Sequence, residues 1–559
     1  MIYPSMQSIN TLGAAKGSFN IAVDGFEAAY AAGFLSEFSL NICKSDKLYI
    51  TIIRKNDRST EYIEEASRLT DEKYFIDTSE TDGNVHMRLT VSGKKSLFRA
   101  LCRVKQMLRC GEVPLGSMAD YPLFAERGYI EGFYGSPWSF ETRKSTLKMM
   151  AEYGMNTYYY APKDDPYHRE KWSELYPETE LAELKELADI GRENFVDIYY
   201  CIAPGLSICY SSDEDFELLK CKVEQLYSIG IRNFGLLLDD IPDNLFYEED
   251  KQRFGGDAAN AHIYIINRFN AFLKELDPKS RLTVCPLVYH GSGEEYYISK
   301  LGRGIDGDVS LFWTGKNICS QELTVPEAVI FTNSTARRPL YWDNFPVNDA
   351  EMYNELHIGY LSGRESGLYR FAEGLVIKIV PLFLNVMPYP LSSRIPLLTV
   401  CDYLWAPTKY DGVASWQKTC EIVFGDKKEA LMPFVENLLT SCLKVENSPG
   451  LNSAIAAANQ ELFSGNRQRA QQILLAYADK MKGALTSLDP NDPLRLEAEP
   501  WLNKYAVACE LFESAAMLLS DSSQEQKNKV ADLLSRYMVD PRTLCDFSLQ
   551  EFSERMLSL

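Results

Sequence analysis

Leu236-Leu237-Leu238-Asp239-Asp240-Ile241 carries two adjacent carboxylates to the point where a run of leucines, the mark of a buried strand, meets solvent. Side chains along one strand alternate between opposite faces. Both aspartates therefore reach one site only if the strand ends there and the backbone turns between them. One ligand would then meet two acids in different surroundings, the arrangement that acid/base chemistry uses. A bare Asp-Asp pair also suits the positive end of a helix, and Asp164-Asp165 repeats the dipeptide. The pair takes its meaning from what surrounds it.

Working outward, short apolar runs alternate with amphipathic helical segments from Arg127 onward. Strands are expected at 128–134 (GYIEGFY), 156–162 (NTYYYAP), 197–203 (DIYYCIA), 233–240 (NFGLLLDD), 281–289 (RLTVCPLVY), 308–314 (DVSLFWT) and 338–344 (RPLYWDN), with a weaker one at 381–387 (PLFLNVM). Between them lie helical segments such as 177–190, where Leu181, Leu184, Leu187 and Ile190 share a face, and 213–229, which opens on Asp213, Glu214 and Asp215. Eight strands and their helices over about 290 residues have the size and rhythm of a (β/α)8 barrel. An open doubly wound sheet is disfavoured, because no glycine-rich phosphate loop follows the first strand.

The fold expected is α/β: a central (β/α)8 barrel over 125–420, a small α/β domain over 1–124 and an all-helical bundle over 421–559. In the first domain, 47–54 and 85–92 read as strands and Lys95 to Leu108 as a helix, since Leu97, Leu101, Val104 and Leu108 recur at helical spacing. The stretch GEVPLGSMADYP (111–122) reads as the linker to the barrel. Past Phe424 helical periodicity takes over, at 430–443, at 466–485 and at 501–519, where Trp501, Leu502, Tyr505, Cys509, Phe512, Ala516 and Leu519 line one face.

Composition excludes several classes. The chain has 559 residues, of which 46% are hydrophobic and 24% charged, an ordinary folded composition. A net charge of −20 with no dense Lys/Arg run argues against a nucleic-acid partner. Thirteen cysteines without a CxxC pair fit a reducing compartment, and only five histidines leave little material for a metal cluster. Neither a signal-like N-terminus nor an 18-residue uncharged apolar run is present. A cytoplasmic protein with no membrane partner is expected, with any self-association running through the terminal domains.

Chemistry in such a barrel sits at the carboxyl ends of the strands, and those ends are unusually polar. They read Glu131-Gly132-Phe133-Tyr134-Gly135, Lys163-Asp164-Asp165, Asp239-Asp240, Tyr289-His290, Trp313-Thr314-Gly315, Trp342-Asp343-Asn344 with Asp349 beyond, and Asn385. Aromatic faces beside Asp, Asn and Lys suit a sugar, whose C–H faces stack while its hydroxyls take polar partners. The phosphate nest that a nucleotide asks for is missing.

Three long motifs resemble glycoside hydrolase family 84, the O-GlcNAcases and bacterial β-N-acetylglucosaminidases. They are Arg127-Gly128-Tyr129-Ile130-Glu131-Gly132-Phe133-Tyr134-Gly135-Ser136-Pro137-Trp138-Ser139, then Tyr160-Ala161-Pro162-Lys163-Asp164-Asp165-Pro166-Tyr167-His168-Arg169, then Asp239-Asp240-Ile241. The resemblance spans about 127–416 and is strongest in its first half. It implies retaining hydrolysis of a terminal β-linked N-acetylglucosamine, with the substrate's own acetamide as nucleophile and no metal or organic cofactor. Asp239 would orient and polarise the acetamide, and Asp240 would act as general acid and then general base. Gly132, Lys163, Asn344, Asp349 and Asn385 match positions that hold sugar hydroxyls or the acetamide, while Cys285, Tyr289, Trp313 and Trp342 match positions near the N-acetyl pocket. The second half departs from the family pattern at Leu287-Val288-Tyr289, at Ala350 and at Leu384-Asn385-Val386.

Plainer roles exist for several residues. Tyr158, Tyr159, Tyr160, Tyr199 and Tyr200 read as barrel packing, Glu131 as a buried acid paired with Arg127 or Lys163, and His168 and His290 as structural histidines. Two other functional classes use the same residues: a carbohydrate-binding protein with reduced catalysis, and a hydrolase holding a divalent metal through Asp164, Asp165, Asp239 and Asp240.

Overall fold

The structure is a computed structural model describing residues 2–38, 47–54, 71–134, 137–345, 355–356, 358–378, 390–440, 448–545 and 547–559. Six strands form the first sheet: β1 (Ser8–Lys16), β2 (Asn20–Gly25), β3 (Lys47–Arg54), β4 (Tyr74–Thr81), β5 (Asn84–Val91) and β6 (Glu112–Asp120), in the spatial order β1-β6-β4-β5-β3-β2. The alternation of KLYITIIR puts Leu48, Ile50 and Ile52 in the core, against Leu97, Leu101, Val104 and Met107 of the helix Lys94–Cys110.

Residues 111–122, expected as a linker, carry β6 instead, an interior strand between β1 and β4. Its Gly116 and Leu115 stand opposite a bulge in β1, where the β1–β6 register shifts between Thr11 and Gly13. Gly116, at φ 139°, comes so close to β1 that a Cβ would stand 2.2 Å from the Asn10 carbonyl oxygen.

Eight parallel strands then close a barrel: β7 (Glu126–Glu131), β8 (Thr157–Tyr160), β9 (Asp197–Ile202), β10 (Asn233–Leu237), β11 (Leu282–Cys285), β12 (Ser310–Trp313), β13 (Leu340–Asp343) and β14 (Gly374–Lys378). Closure is made by β14 on β7, from Gly374 opposite Glu126 to Lys378 opposite Ile130. The eighth strand is thus GLVIK, not the expected 381–387, which lies outside the described residues. Five residues between turns are too short for periodicity to separate from a helix fragment.

Alternation sorts the barrel side chains into two layers. Ile130, Tyr159, Tyr199, Cys201, Leu237, Cys285, Phe312, Trp342 and Val376 fill the interior, while Tyr129, Tyr158, Tyr160, Tyr200 and Trp313 join the outer core under the helices. All five tyrosines expected as packing are buried.

A clamp joins the sheet to the barrel. Glu72 accepts from Arg127 Nη2 of β7 at 2.8 and 2.9 Å and from Arg99 Nε at 2.8 Å. Burial pushes the Glu72 carboxyl up, but Arg127, Arg99 and Lys95 together outweigh it and hold the group down at about 2.

Beyond the barrel, helices Pro449–Phe463, Arg467–Thr486, Pro493–Met517, Gln524–Val539 and Ser548–Leu557 pack on a core of their own. The face expected of 501–519 is buried there in full. Among the described residues no helix is long and apolar enough to cross a membrane.

Candidate active site

The leucine run ends as the sequence required. After β10 the Leu238 amide still donates to the Cys285 carbonyl of β11 at 2.8 Å, and then the chain leaves the sheet. Asp240 takes a left-handed conformation with φ 53°, which a short polar side chain tolerates better than most. That turn brings neighbouring residues to one cation: Lys163 Nζ, at the end of β8, lies 2.9 Å from Asp239 Oδ2 and 4.0 Å from Asp240 Oδ2.

The two acids have different surroundings. Asp239 is buried, whereas the Asp240 side chain keeps 35% of its surface exposed. Burial alone would depress the Lys163 ammonium, but Asp239 and then Asp240 raise it above its ordinary value, so it is a fixed cation. Only one oxygen of Asp239 uses it: among the described residues nothing donates a hydrogen bond to the buried Oδ1. An unsatisfied buried acceptor costs about 1–3 kcal/mol, and no described residue supplies a donor to this oxygen.

Asp240 is gripped from the rim. Tyr134 donates its hydroxyl to Oδ2 at 2.8 Å, and Tyr289 donates to Oδ1 at 3.3 Å. The Tyr289 phenol is pushed well up, by burial first and by Asp240 and Asp239 next, so it stays a donor. Arg169 donates to the Tyr134 oxygen at 3.0 Å and to the Asp240 carbonyl at 3.1 Å.

The other expected residues fall into three groups. Cys285 is buried one strand over from Leu237, and burial, reinforced by Asp239, keeps its thiol protonated. Trp342 projects into the barrel mouth and rests on Gly132, where an added Cβ would stand 2.9 Å from its Cζ2. Its indole donates to Asn344 Oδ1 at 3.1 Å, and Asn344 Nδ2 donates to the Ile318 carbonyl at 2.7 Å, so among the described residues the amide keeps one N–H and one lone pair. Asp349 and Asn385 lie outside the described residues. Trp313 is the correction: Phe312 takes the inward position on β12, so Trp313 points outward and packs on Phe331, ring centroids 4.9 Å apart.

Of the plainer expectations, the pairing of Glu131 is revised and the structural role of His168 stands. Glu131 pairs with neither Arg127 nor Lys163; it faces out of the barrel, bound by Arg143 at 2.8 Å and by the Tyr158 hydroxyl at 2.6 Å. Asp165 is held by the Tyr160 and Tyr176 hydroxyls on Oδ2 and by the Tyr167 amide on Oδ1, so both of its oxygens are engaged within the protein. His168 is a buried structural residue, its Nδ1 2.7 Å from the Cys201 carbonyl, with burial and then Lys163 lowering it to about 4. Tyr134 and Arg169 are the site residues the sequence reading passed over, although both stand inside motifs it quotes.

A closed barrel with a lysine-bridged aspartate pair at its strand ends has the layout of a sugar-cleaving enzyme, and the sequence profile described as beta-N-acetylglucosaminidase matches residues 127–436. The chain belongs to this family, glycoside hydrolase family 84. The Protein O-GlcNAcase of Rattus norvegicus is 34% identical over 412 residues, covering 70% of this chain and 41% of the rat protein, and that of Mus musculus gives the same figures. The chain therefore spans about two fifths of the length of these curated relatives. Among solved structures, a mutant of the Thermobaculum terrenum O-GlcNAc hydrolase is 29% identical with a TM-score of 0.71, covering 78% of this chain and 95% of that one. The protein described as CpGH84B is 25% identical with a TM-score of 0.80 and complete coverage of both chains.

Proposed function

We propose that the chain is a retaining β-N-acetylglucosaminidase that removes terminal β-linked N-acetylglucosamine by substrate-assisted catalysis. One observation carries the reading: the buried Oδ1 of Asp239, to which no described residue donates. An acetamide N–H is the donor that fits a buried carboxylate oxygen held beside a fixed lysine at the strand ends. In the first step the acetamide oxygen attacks the anomeric carbon, the bond to the aglycone oxygen breaks, and Asp240 gives that oxygen its proton. Asp239 accepts the N–H and stabilises the positive charge of the oxazoline-like ring. In the second step Asp240 takes a proton from water, the water oxygen attacks the anomeric carbon and the ring opens. Substrate assistance is a recognised departure from the two-carboxylate scheme, and it is compatible with acids that are neighbours in sequence.

Binding falls to the surrounding groups. Trp342 and Tyr289 wall the acetamide side, Cys285 floors it, and the free capacity of Asn344 suits a sugar hydroxyl. Gly132 and Lys163 complete the subsite, and Asp349 and Asn385 are assigned to it by resemblance.

The test is leaving-group dependence in Asp240→Asn. Turnover on aryl N-acetylglucosaminides with poor leaving groups falls roughly 10²–10⁴-fold, the range of general acid catalysis, while a 2,4-dinitrophenyl glycoside loses far less. Equal loss on both would remove Asp240 as the acid, and an inert wild type would favour the sugar-binding alternative.

A further inference from the structure

Arg169 has not yet been given a role. It sits at the rim beside Lys163, and its guanidinium spans two acceptors, the Tyr134 hydroxyl oxygen at 3.0 Å and the Asp240 main-chain carbonyl at 3.1 Å. We infer that Arg169 is a positioning residue that dictates which oxygen of Asp240 carries the acid proton. The inference rests on the proposed role of Asp240.

A guanidinium has only donors, so in the Arg169–Tyr134 contact the phenol oxygen must accept. Its single hydrogen is then directed to the remaining partner, Asp240 Oδ2, at 2.8 Å. On its other side Oδ2 faces the Lys163 ammonium, also a donor, at 4.0 Å. A proton on Oδ2 would point into two donors. The acid proton therefore resides on Oδ1, whose neighbour is the Tyr289 hydroxyl at a loose 3.3 Å, a group that can rotate to accept or give way to a glycosidic oxygen. In the first step the Oδ1–H bond breaks, its electron pair stays on the carboxylate and the proton goes to the departing aglycone oxygen.

The second contact fixes the backbone. Asp240 sits at φ 53°, and the bond from Arg169 to its carbonyl holds the peptide that keeps the carboxyl turned toward Tyr134. The Arg169 guanidinium carbon also lies 5.8 Å from the Tyr134 ring centroid, so it locks the ring as well as its hydroxyl. Among the described residues, the charged and titratable groups around Asp240 are Asp239, Lys163, Arg169, Tyr134, Tyr289 and Cys285. Arg169 is the cation that acts through Tyr134.

The test uses the full chain with Arg169→Met, Arg169→Lys, Tyr134→Phe and the Met/Phe double variant, assayed on a 4-methoxyphenyl and a 2,4-dinitrophenyl N-acetylglucosaminide across pH. Arg169→Met lowers kcat on the poor leaving group by roughly 10²-fold, within the range for acid catalysis, and spares the activated substrate. The alkaline limb of its kcat/KM profile moves to higher pH, because a lost cation and a lost directed donor both favour the protonated carboxyl. Tyr134→Phe moves the limb the same way, the double variant loses less than the product of the singles, and Arg169→Lys recovers part of the loss. An unmoved limb with equal loss on both substrates, or strictly multiplicative losses, overturns the inference. Should Arg169→Met melt too low to assay, Arg169→Lys and Tyr134→Phe read the same limb. Wild-type protein inert on both substrates would defeat the functional reading itself, a distinct outcome.

Discussion

Glu72 and Asp239 are both carboxylates buried against cations, and the protein treats their oxygens in opposite ways. Each oxygen of Glu72 accepts from Arg127, Arg99 adds a further bond, and Arg127 spends its other donors on the carbonyls of Gly154, Phe124 and Ala125. Nothing is left over. Asp239 has one lysine on one oxygen and, among the described residues, nothing on the other. A saturated ion cluster ties two layers of structure together, whereas an incomplete one stores a demand that a ligand satisfies. Burial alone, common to both places, does not tell structural charge from functional charge; the hydrogen-bond inventory does.

The comparison can be broken most forcefully at Asp239. Asp239→Asn removes the charge that answers the acetamide, and turnover falls roughly 10²–10³-fold, as for loss of one preorganised electrostatic group, for good and poor leaving groups alike. Retained rates on either substrate would reject its role. At the clamp the effect moves from rate to stability. Arg127→Leu strands Glu72, and denaturant melts lose about 3–5 kcal/mol, the usual cost of breaking a buried pair, while kcat of the folded fraction is unchanged. A smaller loss would mean that Arg99 and Lys95 suffice.

Acid sharpens the same contrast. The folded Glu72 carboxyl lies near 2, below its unfolded value, so its stabilisation is fully present above the unfolded value and disappears as pH falls through the range down to about 2. The shift corresponds to ~3 kcal/mol at most. Glu72→Gln is less stable than wild type at neutral pH and shows a flatter decline on acidification; parallel curves would deny the linkage. The smallest effect belongs to Gly132→Ala, which crowds Trp342 and costs ~1–3 kcal/mol of stability by overpacking, with KM rising more than kcat falls.

How much of this was legible beforehand depended on the range of the interaction. The turn between Asp239 and Asp240 was implied by strand alternation, and the helix face 501–519 by its periodicity, because both are local. Trp313 was misplaced for want of one residue of register: the strand was recognised, but nothing in LFWT says whether Phe312 or Trp313 faces inward. Strand β6 was hidden because Gly and Pro mark linkers and bulges alike. Lys163 was placed in the site by its motif, yet its sharing between two acids, the orphan oxygen of Asp239 and the reach of Arg169 across the mouth are tertiary facts. They depend on strand ends brought together by barrel closure, which no window of sequence contains.

The clamp at Glu72 also bears on how the enzyme can be divided. A fragment beginning at the barrel's first strand would carry Arg127 into the interior without its counter-charge, beneath Trp405, whose ring lies 5.5 Å from the guanidinium. Trimming the first sheet would therefore leave an uncompensated cation under the barrel, and a workable minimal enzyme would have to exchange that arginine for a neutral side chain at the same time.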